Sequence, residues 1–251
     1  MIKFFRKIRQ NLLSEGKTGK YFKYAIGEII LVVIGILIAL GINNWNLNRI
    51  ETKQTKTILN SMILDLESDI SNLESDIVFF ENDIQKSRIV LNSEKFDRIT
   101  EDSLYNLLPT NSSSYSLNRH SFEKLKNSGI NNILDSDELY ESISAYYTDN
   151  ADILNTVNSW DFDYSLKATD FWRLGNEFEG PILNDTIITR YRDGDIIRKT
   201  KLVQLVSSMK SRNIIRYAIS RKLTCINVYK GIKFDAENLI KIINQELGLK
   251  K

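Results

Sequence analysis

Residues 59–84 read LNSMILDLESDISNLESDIVFFENDI. Within them Leu59, Ile63, Leu66, Ile70, Leu73, Ile77, Phe80 and Ile84 recur at alternating four- and three-residue steps. A helix of 3.6 residues per turn gathers such a series on one face, which a strand, with its period of two, cannot do. The stretch predicts a long amphipathic helix and an all-α fold, either a coiled-coil segment or the first long helix of a bundle. Asp65, Glu67, Asp69, Glu74, Asp76, Glu81 and Asp83 fall off this seam and are expected on a solvated face.

Upstream, residues 25–42 read AIGEIILVVIGILIALGI, with Glu28 the one ionisable residue and Tyr24 and Trp45 at the borders. A bilayer core of about 30 Å is crossed by about 20 helical residues. Tyr and Trp, each an apolar ring with a polar handle, favour the headgroup zone. Residues 24–45 are therefore expected to form a single-pass transmembrane helix. The cations Lys3, Arg6, Lys7, Arg9, Lys17, Lys20 and Lys23 precede it, opposed only by Glu15. By the positive-inside rule, residues 1–23 then form a cytosolic leader and residues 46–251 an extracytoplasmic helical domain. Ala39-Leu40-Gly41 loosely matches a signal-peptide cleavage site, but the long basic leader and the embedded carboxylate argue against cleavage.

In the leader, Phe5, Ile8 and Leu12 stand at helical steps, with Lys3, Arg6, Lys7 and Arg9 between them. This is either an amphipathic helix that lays these cations on anionic membrane lipid or a flexible segment that only sets topology. On the span, Glu28, Gly35 and Ala39 share one face, and Gly35 and Ala39 form a small-xxx-small pair suited to contact with another membrane helix. The expected partners are a second copy or another membrane protein. Glu28 is either part of that contact or ion path, or an interfacial carboxylate one turn past Lys23.

Downstream, the Asn- and Ser-rich stretch 109–116 reads as a loop, and Ser121 as the N-cap of a short helix ended by Gly129. Asp135 with Glu138 forms a cap for a long helix reaching toward Gly175, its seam being Leu139, Ile143, Tyr146, Ile153, Val157, Trp160 and Tyr164. Turn signals at Gly180-Pro181 and Asp193-Gly194 flank Ile187-Ile188-Thr189, which could be extended. A helix over 196–230, with Leu202, Leu205, Met209, Ile215, Ile219, Leu223 and Ile226 on its seam, is expected to break at Gly231. A last helix capped by Asp235 is expected to stop at Gly248. Acids dominate 65–163 and bases 190–251, so the acidic first helix is expected beside the basic last one.

The opening stretch MIKFFRKIRQNLLSEGKTGKYFKYAIGEIILVVIGILIALGINNWN resembles the signature of a family of Bacteroidota membrane proteins known as a domain of unknown function. SFEKLKNSGI at 121–130 and LYESISAYY at 139–147 resemble the same family. The resemblance implies a bacterial inner-membrane protein with a helical outer domain and carries over no activity or site residue.

Chemistry-bearing motifs are sparse. One cysteine, Cys225, allows no internal disulfide framework, and the sole histidine, His120, has no companion for a zinc site or a triad. Gly16-Lys17-Thr18 lacks the first glycine of a phosphate loop, and no D-x-D-x-D-G calcium loop occurs. No catalytic residue, cofactor, metal site or nucleic-acid partner is expected, and the chain is expected not to be an enzyme. The function expected is that of a membrane-anchored, oligomeric interaction or scaffold protein. Its alternatives are a sensory, ligand-binding bundle that signals through a partner, and an ion-coupled accessory subunit using Glu28.

Overall fold

The computed structural model describes residues 18–130, 133–134, 136–175, 177–181 and 191–248, and every regular element among them is helical. The chain divides into two units between Lys56 and Thr57. The lipid-contact candidates Lys3, Arg6, Lys7 and Arg9, the cap residue Asp135 and the segment 187–189 lie outside the described residues.

Helix α1 spans Thr18–Asn92, without a break at either border of the apolar stretch. In the first unit every side chain from Ile29 to Ile50 is exposed, and the helix is long and apolar enough to cross a membrane. This exposed apolar N-terminal helix is consistent with a membrane anchor or a signal sequence.

In the second unit, the seam is packed inside the chain's own core. Leu59, Leu66, Leu73, Ile77, Phe80 and Ile84 are buried, and Ile63 and Ile70 pack against them. The residues that cover them include Tyr146, Tyr147 and Leu154 from the middle of the chain and Tyr229, Ile232 and Leu239 near its end. The rings of Phe80 and Tyr229 meet edge-on at 5.5 Å. A second cluster gathers Val90, Leu104, Trp172, Leu202, Val206 and Ile215.

Short helices α2 (Glu101–Tyr105) and α3 (His120–Asn127) follow α1. Ser121 is not the N-cap of α3: it lies buried within the helix, and Arg119 holds the cap position without a side-chain bond. One N-terminal amide is met instead from α1, where Asp65 Oδ2 accepts from Ser121 N at 2.8 Å. A carboxylate at a helix N-terminus satisfies an orphan donor and opposes the helix dipole. Gly129 then ends the helix at φ +72°, a conformation that suits a residue without Cβ.

Helix α4 (Asp137–Ala145) is capped by Ser136, whose Oγ accepts from Leu139 N at 3.3 Å. It passes through a π-helical turn, Tyr146–Asn150, into α5 (Ala151–Arg173). This turn moves the buried face by one residue. Leu139, Ile143, Tyr146 and Val157 are buried as expected, but beyond the turn the other inward positions are Leu154, Asn158, Asp161, Ser165, Ala168 and Trp172. Ile153 is exposed, and Trp160 and Tyr164 are only half-buried, because the seam predicted for them assumed an uninterrupted 3.6-residue period.

The C-terminal third also departs from expectation. Helix α6 (Asp195–Ser207) and helix α7 (Met209–Glu246) part at Ser208, whose ψ of 148° breaks the helix and whose Oγ accepts from Ser211 N at 3.2 Å. Gly231 sits inside α7, and Asp235 is a mid-helix residue that accepts from Asn150 Nδ2 at 3.0 Å. Ile215 and Ile226 are buried as expected, and the buried face of α7 also holds Ser211, Ala218, Arg221, Lys222, Cys225, Tyr229, Ile232, Ala236, Leu239 and Ile243, while Met209 and Leu223 are exposed. The acidic and basic helices do pair: α7 Lys233 lies 2.6 Å from α1 Glu74, and Lys230 lies 3.9 Å from Glu81. Residue numbers rise along one helix as they fall along the other, so the two run antiparallel.

Candidate functional site

The acids of α1 divide between two faces. Glu67, Glu74 and Glu81 are exposed, as expected of a solvated charge run, whereas Asp69 and Asp83 are buried and Asp65 and Asp76 half-buried. Glu67, Glu74 and Glu81 are spaced by seven, as are Asp69, Asp76 and Asp83 with Asp65 one turn before them, and at about 100° per residue the two-residue offset between the series sends them to opposite sides of the helix. The expectation of solvation fails for the aspartates because the Asn- and Ser-rich loop supplies them with donors.

That loop is a strap running antiparallel to α1. Asp83 accepts from Asn111 Nδ2 at 3.3 Å, Asp76 from Ser113 Oγ, and Asp65 from Asn118 Nδ2 at 3.0 Å. Asp69 accepts from Tyr115 OH at 2.5 Å, Asn118 N at 2.8 Å and Tyr146 OH at 2.9 Å. Burial pushes the Asp69 carboxyl above its ordinary range, against the lowering effect of these donors. Burial and the neighbouring Asp69 together raise the Tyr115 and Tyr146 hydroxyls, so both remain proton donors at neutral pH.

The strap's other side is held by α5 and α7. Asn158 Nδ2 donates to Tyr115 O at 2.8 Å, Ser165 Oγ to Asn111 O at 3.0 Å, and Lys222 Nζ to Asn111 O at 2.8 Å. Tyr229 OH donates to Asn158 Oδ1 at 2.7 Å. The polar residues turned inward by the π turn thus donate to the strap's backbone carbonyls, which would otherwise lack these partners away from water.

Behind this strap lies a charge quartet. Asp83, Asp161, Arg221 and Lys222 have side chains 3, 2, 2 and 1% exposed. Lys222 Nζ lies 3.5 Å from Asp83 and 3.8 Å from Asp161, while Arg221 Nε lies 3.1 Å from Asp161. Two acids and two bases make the group formally neutral, the condition under which buried charge is tolerated.

Arg221 also forms the back of a cleft of about 750 Å³ between α5 and α7. Tyr164 and Phe171 line the α5 side, and Ile214 and Tyr217 the α7 side. The Arg221 guanidinium lies 5.5 Å from the centroids of both Tyr164 and Tyr217, whose rings meet edge-on at 5.0 Å. Lys167 Nζ stands 4.4 Å over Tyr164 and Lys210 Nζ 4.9 Å over Phe171. Among the described residues no carboxylate lines the cleft. Its size falls within the usual range for small-molecule sites, roughly 300–1,000 Å³.

The residues singled out from sequence lie elsewhere. Glu28, Gly35 and Ala39 are on α1 in the first unit, Glu28 half-buried and the other two exposed, with open space around Gly35. His120 opens α3, exposed, its backbone N–H donating to Asn118 Oδ1 at 3.2 Å. The cleft residues Tyr164, Lys167, Lys210, Tyr217 and Arg221 were not marked as a site by sequence, since no motif links positions some 50 residues apart. The one available signal was the row Asn158, Asp161, Ser165, which has helical spacing but polar chemistry.

Residues 28–150 match the model of a family of unknown function (DUF6090). The match covers the apolar stretch from Glu28, the α1 seam, the strap and α4 through the π turn, and it ends where α5 begins. No curated protein and no solved structure matches the chain.

Proposed function

We propose that this chain is a membrane-anchored helical interaction protein of the bacterial inner membrane, with its leader in the cytosol and residues 46–251 on the periplasmic side. The observation that carries the reading is the exposure of every side chain from Ile29 to Ile50 on a continuous helix. Such a surface is unfavourable in water, at about 25 cal/mol per Å² of apolar area, yet a helix is one of the few backbones that lipid accepts, because its polar groups bond internally. Gly35 and Ala39 offer a close-approach face for a second copy or a partner helix.

Carbonate washing of native membranes, combined with reporters fused after Lys251, tests this placement. The chain should stay in the membrane pellet, with alkaline phosphatase active and a fluorescent-protein fusion dark. A washed-out chain, or a bright fluorescent fusion, overturns it. Crosslinking should recover a self-associated or partner-bound species that Gly35→Ile depletes.

The α5–α7 cleft favours a second reading, in which the outer bundle receives a small molecule and passes the event to a partner.

A further inference from the structure

We infer that the α5–α7 cleft is a binding site for an amphipathic organic anion, a flat apolar body carrying a carboxylate-type group. This inference rests on the ligand-receiving reading and names its ligand class. Three features of the cleft point to it together. Its lining is apolar on both helices, with the rings of Tyr164 and Phe171 from α5 and Tyr217 and Ile214 from α7, which suits a planar apolar body. Its charge is one-sided: Lys167 comes from α5, Lys210 and Arg221 from α7, and among the described residues no acid lines the space. Its back wall is built rather than incidental, since Arg221 is 2% exposed and fixed by Asp161 at 3.1 Å and Ser165 Oγ at 3.3 Å.

The charge of Arg221 is balanced by Asp161, so the excess positive charge of the cleft belongs to the two lysines. Each ammonium is already held over a ring, Lys167 at Tyr164 and Lys210 at Phe171, which limits the ordering that a ligand must impose. An acidic group entering between the helices would meet a donor from either wall. An organic cation would find the same aromatic lining but meet like charge, and a neutral body would leave the lysines without a counter-charge. The π turn is part of the device, because without its one-residue shift Tyr164 would lie on the core seam.

The test uses the full-length chain in phosphatidylcholine nanodiscs, titrated calorimetrically with naphthalene-2-carboxylate and with its neutral amide, empty nanodiscs being subtracted. The carboxylate is expected to bind at least tenfold more tightly than the amide. Lys167→Gln and Lys210→Gln should each weaken the carboxylate about fivefold and leave the amide unchanged, a split that loss of folding does not produce. Equal affinity of carboxylate and amide overturns the anionic class while leaving a ligand-receiving cleft. Saturable binding of neither, or carboxylate binding indifferent to both lysines, overturns the site itself.

Discussion

Arg221 donates from Nε to Asp161 Oδ1 across 3.1 Å, and both side chains are 2% exposed. Removing one partner of such a pair strands a buried charge, whereas replacing both with apolar groups of similar volume removes the desolvation cost as well. Asp161→Asn and Arg221→Met are each expected to cost about 3–5 kcal/mol, by the magnitudes typical of broken buried pairs. The double variant Asp161→Leu/Arg221→Met should recover a large part of that loss. Urea denaturation of the three variants reads the difference directly.

Asp69 provides a pH signature. Its carboxyl is raised by burial, so the folded state holds a proton at pH values where the unfolded chain has already released it. Between the ordinary carboxylate value of 3.8 and the raised folded value, stability contributed at this residue falls as pH rises. Asp69→Asn keeps an acceptor and removes the charge, so the melting temperature of the variant should gain on the parent as pH increases through that window. Asp69→Ala orphans the Tyr115, Tyr146 and Asn118 donors instead and should cost about 3 kcal/mol or more, from roughly 1–3 kcal/mol per unsatisfied group.

Cys225 is fully buried, and burial first, then the nearby Asp161 charge, pushes its thiol up to about 12. The thiolate is the reactive form, so a disulfide reagent at pH 8 should label the folded chain negligibly. Adding denaturant should release one reactive thiol per chain. Rapid labelling of the native protein would contradict the packing of α7.

Two glycines should respond oppositely to alanine. Gly231 lies within α7 with open space around it, and Gly231→Ala is expected to stabilise by about 0.5–1 kcal/mol. Gly129 holds φ +72°, and Gly129→Ala is expected to destabilise by about 1 kcal/mol. Thermal melts of the two variants check both signs.

The helical class and the α1 seam were legible in the sequence because eight apolar residues follow one uninterrupted period. On α7 the period is just as regular, but Lys222 occupies a core position between Ala218 and Cys225, so reading charge as surface hides it. The small residues Ala218, Cys225 and Ala236 make room for neighbours and carry little hydropathic signal. The strap was legible only as a loop, because its order depends on aspartates 28–53 residues away in sequence. The cleft was not legible at all, since its two walls are joined by folding and its ring positions are displaced by the π turn.

The five residues Tyr146–Asn150 therefore act as a phase selector for everything after them. Straightening this turn to the ordinary α pitch with all five residues kept would rotate Ile153, Trp160 and Tyr164 toward the strap and Asn158, Asp161 and Ser165 toward water, whereas excising Thr148 along with the wide turn would leave every later side chain facing as it does. The pitch of a single turn thus separates a salt-bearing interior from a greasy one, and with it a bundle that has an entrance from a bundle that is shut.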